Sequence, residues 1–234
     1  MKKTILFLLL FYSVNFYSQC YYKGALILDV NGGLEVYNSF VKVHYLKEIK
    51  SDEQEEGKTG CSHFNLGAEY ALHKNFGIGL RYKANNFFQG ADSAGTKPTV
   101  KSNDILLQLN FHPVSTTAFD LVLGSEMGYT MINFYENNPE HNKIWGSGTY
   151  FSMYMNPRLY IGRFGFNMKL GLPFFNYGVL QTNNEEFNKN QTLALSANPG
   201  FTLSFGIQFR FLSEKDKSKK KAEDKPKEEP KPAQ

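Results

Sequence analysis

Between Phe201 and Phe211 the chain alternates without a break: Phe201, Leu203, Phe205, Ile207, Phe209 and Phe211 against Thr202, Ser204, Gly206, Gln208 and Arg210. Successive side chains of a strand point to opposite faces, so this segment has one apolar and one polar wall. Its length matches the about 9–11 residues with which a tilted strand crosses a bilayer. Segments 64–72, 76–84, 105–111, 119–131, 151–161 and 164–174 repeat the pattern, for example with Phe64, Leu66, Ala68, Tyr70 and Leu72 on one wall. Ser125 is the one exception on the apolar wall of 119–131. Leu26, Leu28, Val30, Leu34 and Val36 begin an eighth strand.

The connections alternate as well. His73-Lys74-Asn75, Pro113–Thr117 and Gly162-Arg163 are short, whereas 48–60, 88–101, 135–147 and 179–190 are long, polar and rich in Gly, Asn, Glu and Lys. Short turns on one side and long loops on the other are the habit of outer-membrane barrels. The pattern predicts an all-β fold, an eight-stranded antiparallel transmembrane barrel with both ends on the short-turn side. Ten strands would result if Asn31-Gly32-Gly33 and Asn198-Pro199-Gly200 were hairpin turns. Against this, odd parity runs through Leu193, Leu195 and Ala197 into Phe201, as one bent strand would give. A soluble β-sandwich also alternates. The aromatic residues at segment ends favour the barrel: Phe87, Phe88, Phe134, Tyr135, Trp145, Phe174, Phe175 and Tyr177 gather toward the long loops, like an interfacial girdle.

At the N-terminus Lys2 and Lys3 precede an apolar run from Ile5 to Phe11, followed by Tyr17-Ser18-Gln19. That order is a secretory signal peptide over 1–19; the run is shorter than the ~20 residues of a membrane helix. Cys20 follows the cut, but Gln19 makes a poor acylation signal. Residues 20–212 form the barrel. The net charge of +4 is misleading, because Ser213–Gln234 holds 8 Lys and 6 Asp+Glu and the signal holds 2 Lys. The body carries 16 of each sign, so no basic face for nucleic acid is evident. The segment 213–234 has no apolar residue larger than Ala, and it is expected to be a disordered periplasmic tail.

"GAEYALHKNFGIGLRY" (Gly67–Tyr82) resembles the Gly-rich strand–turn–strand of small outer-membrane β-barrel proteins of the porin-like, OmpA/OmpX-type family. The signal ending in Ser-Gln and the terminal "FGIQFRF" resemble those of Bacteroidota members. The resemblance covers roughly 20–212 and implies a fold and a Gram-negative outer membrane, with no catalytic residue. Barrels of that family often end on the last Phe, whereas 23 residues follow Phe211 here.

The polar parity holds the charges Glu69, Arg81, Lys83, Glu126, Arg158 and Lys169. With Glu69 facing Gly79 and Arg81 facing Gly67, those two charges become diagonal neighbours on adjacent strands. The lumen of an eight-stranded barrel is filled by side chains, so these charges are expected to form a structural ion-pair network. A gated pore or proton path is the alternative. His44, His63, His73, His112 and His141 show no metal-ligand spacing. Ser62-His63 and His112-Pro113-Val114-Ser115 match no lipase or deacylase motif, so no enzyme is expected. Asp29-Val30-Asn31-Gly32-Gly33 lacks the closing Glu of a calcium loop and reads as a bulged strand. No cofactor is implied. The expected function is a structural or interaction role through the outer loops and the periplasmic tail. The alternatives are a small passive channel, or an accessory subunit of a larger outer-membrane assembly or secretion complex. The expected partners are outer-membrane lipid and, through the tail, periplasmic or envelope-complex proteins.

Overall fold

The computed structural model describes residues 20–46, 53–89, 97–135 and 143–211. The signal region 1–19 and the segment 213–234 lie outside them. Strands β1 (Leu26–Tyr45), β2 (Glu53–His73), β3 (Phe76–Phe87), β4 (Thr99–Ser115), β5 (Phe119–Tyr135), β6 (Lys143–Ile161) and β7 (Phe164–Thr182) each pair antiparallel with the next. A short helix, α1 (Glu185–Asn190), leads into β8 (Gln191–Ala197) and β9 (Phe201–Phe211). β8 pairs with the outer ends of β1 and β7, and β9 pairs with their inner ends. The two are halves of one eighth stave, which closes the ring against β1. No helix among the described residues is long and apolar enough to cross a membrane.

The break in the eighth stave changes one detail of the parity reading. Ser39 faces Ala197 while Val36 faces Phe201, so the last stave carries one extra residue at Asn198-Pro199-Gly200. One extra residue swaps the faces. Leu193, Leu195 and Ala197 therefore turn inward, against the core, and only from Phe201 onward do odd positions face outward. Pro199 suits the bulge because it has no ladder N–H to give. At Asp29–Gly33, by contrast, no bulge is found: β1 pairs without interruption to both neighbours there.

The long connections are also shorter than the sequence suggests. Residues 53–60, 99–101, 143–147 and 179–182 continue as strand beyond the bilayer-crossing segments. Their polarity hid them, because residues such as 53–60 carry no alternating apolar positions. Paired backbones still satisfy one another there.

The outer wall is apolar at every height of the crossing segments, from Phe211 and Phe164 at the short-turn end to Phe201, Val36 and Phe174 toward the long loops. Part of the expected girdle faces the other way. Phe88, Tyr135, Trp145 and Phe174 lie on the outer surface, whereas Phe87, Phe175 and Tyr177 are buried inside, joined by Phe134. They belong to an internal apolar layer with Tyr37, Leu106 and Ile132.

Candidate functional site in the barrel lumen

All six charged residues singled out by parity are buried and face the lumen. The registers Glu69↔Gly79 and Gly67↔Arg81 are as read from the sequence. Glu69 and Arg81 nevertheless do not pair with each other. Glu69 Oε2 accepts from Arg158 Nη2 at 2.7 Å, and Arg81 lies 3.1 Å from Asp29 and 3.6 Å from Glu126. An eight-stranded lumen is narrow enough for a long side chain to reach across it, and the partners lie on non-adjacent strands. Glu69 on β2 meets Arg158 on β6, and Lys169 on β7 meets Glu126 on β5 at 2.6 Å. Lys83 on β3 meets both oxygens of Glu35 on β1 at 2.7 Å.

The network is layered. At the short-turn end His112 lies between two carboxylates, with Nε2 2.8 Å from Glu69 and Nδ1 3.0 Å from Asp120. A neutral imidazole has one N–H, so only the imidazolium donates to both. Tyr21 stacks flat on this ring at 3.4 Å and closes the barrel from below. Gly77 makes the corner possible, since a Cβ there would overlap Glu69 and the Tyr21 hydroxyl. In the middle layer Arg81, Glu126 and Lys169 surround Gln108 and Tyr154, and the Lys169 ammonium lies 4.0 Å from the Tyr154 ring centre. In the third layer Glu35 also accepts from the hydroxyls of Tyr37 and Tyr150, and Lys83 donates to the Tyr150 hydroxyl at 2.9 Å. Asp104, held by Thr130, Asn85 and Ser102, borders the apolar layer above.

Sequence reasoning missed Asp29, Glu35, Asp104, His112 and Asp120 as members of this network. The same parity could have found them: Asp29 lies between Leu28 and Val30, Glu35 between Leu34 and Val36, and His112 directly after Phe111. Each faces inward because its neighbours face outward. With them, six buried carboxylates share the lumen with Arg81, Lys83, Arg158 and Lys169, while the buried Arg210 binds the Cys20 and Gly162 carbonyls at the short-turn end.

The Ser–His combinations take other partners. His112 is engaged at both nitrogens, and Ser115 Oγ accepts from the Tyr21 amide at 3.1 Å. His63 Nδ1 lies 3.8 Å from Glu35. Among the described residues no cluster of His, Cys, Asp and Glu has the makings of a metal site.

Both thiols are free and buried. Cys20 packs beside Ser115 at the short-turn end, while Cys61 belongs to the apolar layer toward the long loops. A disulfide needs Cα atoms within about 7 Å, which these positions exclude. Reduction should leave the intact mass of the monomer unchanged. Burial pushes the Cys20 thiol up to about 11, so maleimide at neutral pH should label it only after unfolding; rapid labelling of the folded protein would place Cys20 outside the barrel.

No protein-family model matches the chain, and no curated protein matches it either. Solved structures do. The outer-membrane protein OprG of Pseudomonas aeruginosa is 12% identical, with 82% of this chain and 98% of that one covered and a TM-score of 0.55. Neisserial surface protein A is 10% identical, covering 81% and 100%, with a TM-score of 0.47. The protease OmpT of Escherichia coli is 11% identical, covering 85% and 100%, with a TM-score of 0.44. The weight rests on OprG. What the chain shares with it is the fold, a closed antiparallel barrel of eight staves of the kind found in outer membranes.

Proposed function

We propose that this protein resides in an outer membrane as a barrel that does not conduct, and that it works at its two ends. The observation behind this reading is the lumen. Ion pairs cross it at three heights, and Tyr37, Leu106, Ile132, Phe175 and Tyr177 close it above with an apolar layer. In this reading the short turns and both termini face the periplasm, and the long connections face outward. The lipid-facing belt needs only outer-membrane lipid. The outer loops and the segment 213–234 are left as the contact surfaces for envelope proteins, as an accessory subunit would use them. The tie of His112 to two carboxylates favours a non-enzymatic role.

The small passive channel keeps one supporting observation. Asn167, Ser204 and Gln208, inward on β7 and β9, have buried side-chain atoms without a hydrogen-bond partner among the described residues. Such groups call for water. Conductance of the purified barrel in a planar bilayer decides between the two: no steps above leak are expected, and steady single-channel steps would replace this reading with the channel. Crosslinking in cells, with and without 213–234, tests the tail. Loss of a stoichiometric adduct on truncation supports a tether, and identical adducts shift the role to the outer loops.

A further inference from the structure

The inward face of the barrel changes chemistry with height. Along β1 it runs Asp29, Asn31, Glu35 and then Tyr37 and Val41; along β4, Gln108, Asp104 and then Val100. On β5 it passes from Glu126 and Thr130 to Ile132 and Phe134, and on β7 from Lys169 to Phe175 and Leu180. Above the last charged layer these residues form a cup at the long-loop mouth. Its cavity is about 410 Å³, walled by Val41, Val100, Phe134, Leu180 and Leu195. Its floor is aromatic, with Phe175 meeting Tyr37 edge-on at 5.0 Å and Phe87 at 6.2 Å.

Nothing in the barrel's construction calls for this lining. The cup opens toward the long-loop end of the barrel, where a polar wall would serve as well. Apolar surface gathered in a concavity marks a binding site. The neighbouring connections are polar in sequence. Segments 47–52, 90–96 and 136–142 contain one large aliphatic or aromatic side chain between them, Ile49; the rest is Lys, Glu, Asp, Asn, His, Ser, Thr, Gly, Ala and Pro. The volume falls in the range of about 300–1,000 Å³ typical of small-molecule pockets. Lys58 is the one charged residue among the lining and is exposed at the rim, and the buried carboxylates Glu35 and Asp104 are already hydrogen-bonded to Lys83, Asn85, Thr130 and Tyr37.

We propose that the outer mouth of this barrel is a binding site for a small, uncharged apolar molecule of aromatic or hydrocarbon character. The site goes beyond the non-conducting reading and does not depend on it, since the cup lies above the charged lumen. The test uses the full barrel in lipid nanodiscs, with methyl-labelled Ile and Leu, titrated with naphthalene. The methyl signals of Ile132, Ile144, Leu193 and Leu195 should shift and saturate. Those of Leu80 and Ile105 on the lipid face should drift without saturation as naphthalene dissolves in the bilayer. Leu195→Trp, and separately Val100→Phe, should fill the cup and abolish the saturable shift while the heat-modifiable gel shift confirms a folded barrel. Cup methyls that behave like the lipid-facing ones, or a saturable shift that survives in both filled variants, would overturn the proposal.

Discussion

Glu69→Ala is expected to destabilise the barrel by about 3–5 kcal/mol, the usual consequence of removing one partner from a buried charge pair. Glu69 is 1% exposed and serves two cations at once, Arg158 at 2.7 Å and His112 at 2.8 Å. Without it Arg158 retains only Asp120 as an ion-pair partner, at 3.7 Å. Neither cation can turn to water, because Tyr21 closes the space below and the Arg81 layer lies above. Glu69→Gln should fall in between, keeping the shape and one acceptor. The control is Glu185→Ala on α1, whose carboxylate is exposed and meets Lys189 only at 3.7 Å; exposed pairs of this kind contribute little. Urea unfolding in lipid vesicles, read by the heat-modifiable gel shift, should separate Glu69→Ala clearly from Glu185→Ala. Equal midpoints would mean that the layered ion pairs do not hold the barrel together.

The sequence discloses the strands where one face meets lipid, since bilayer and lumen impose opposite demands on neighbouring residues. Phe201–Phe211 shows this most plainly, and its eleven residues are β9 without adjustment. Above the bilayer that contrast disappears, which is why 53–60 and 143–147 read as loop although they are strand. The eighth stave exposes the same limit. Odd parity on both sides of Asn198-Pro199-Gly200 looks like continuity, yet the extra residue turns Leu195 inward and leaves Phe201 outward. In the lumen, parity located six of the charges, passed over Asp29, Glu35, Asp104 and Asp120, and could not choose partners. Adjacent-strand geometry made Arg81 the neighbour of Glu69, whereas the narrow barrel joins Glu69 to Arg158 on β6, 89 residues away in sequence. The apolar cup was hidden for a related reason: its aromatic residues resemble a lipid-facing girdle until the register shows Phe87 and Phe175 pointing inward.

Phe205→Lys should be the most damaging change on the outer surface, by about 2–4 kcal/mol, as for a cation at mid-bilayer on a barrel wall. Phe205 is 58% exposed and lies midway along β9, six residues from Phe211. Its flanks, Leu203 and Ile207, leave a lysine stem no short route to either interface. On parity alone Ser204→Lys would be the mild comparison, since that position faces the lumen. The structure removes this expectation: Ser204 is fully buried, packs against Gly33 and stands opposite Lys169, so a second ammonium there meets a like charge in a filled space. The proper comparison is Val179→Lys. Val179 is as exposed as Phe205, at 62%, but lies beyond Phe174 toward the outer end of β7. A lysine there should change stability by about 0–1 kcal/mol, as near an interface. Vesicle refolding of the two variants reads the depth of the protein in the bilayer directly. A large loss at Phe205 and almost none at Val179 fixes the hydrocarbon layer around β9. Equal losses would mean that the apolar wall faces something other than lipid, and the membrane reading of the whole barrel would fall with it.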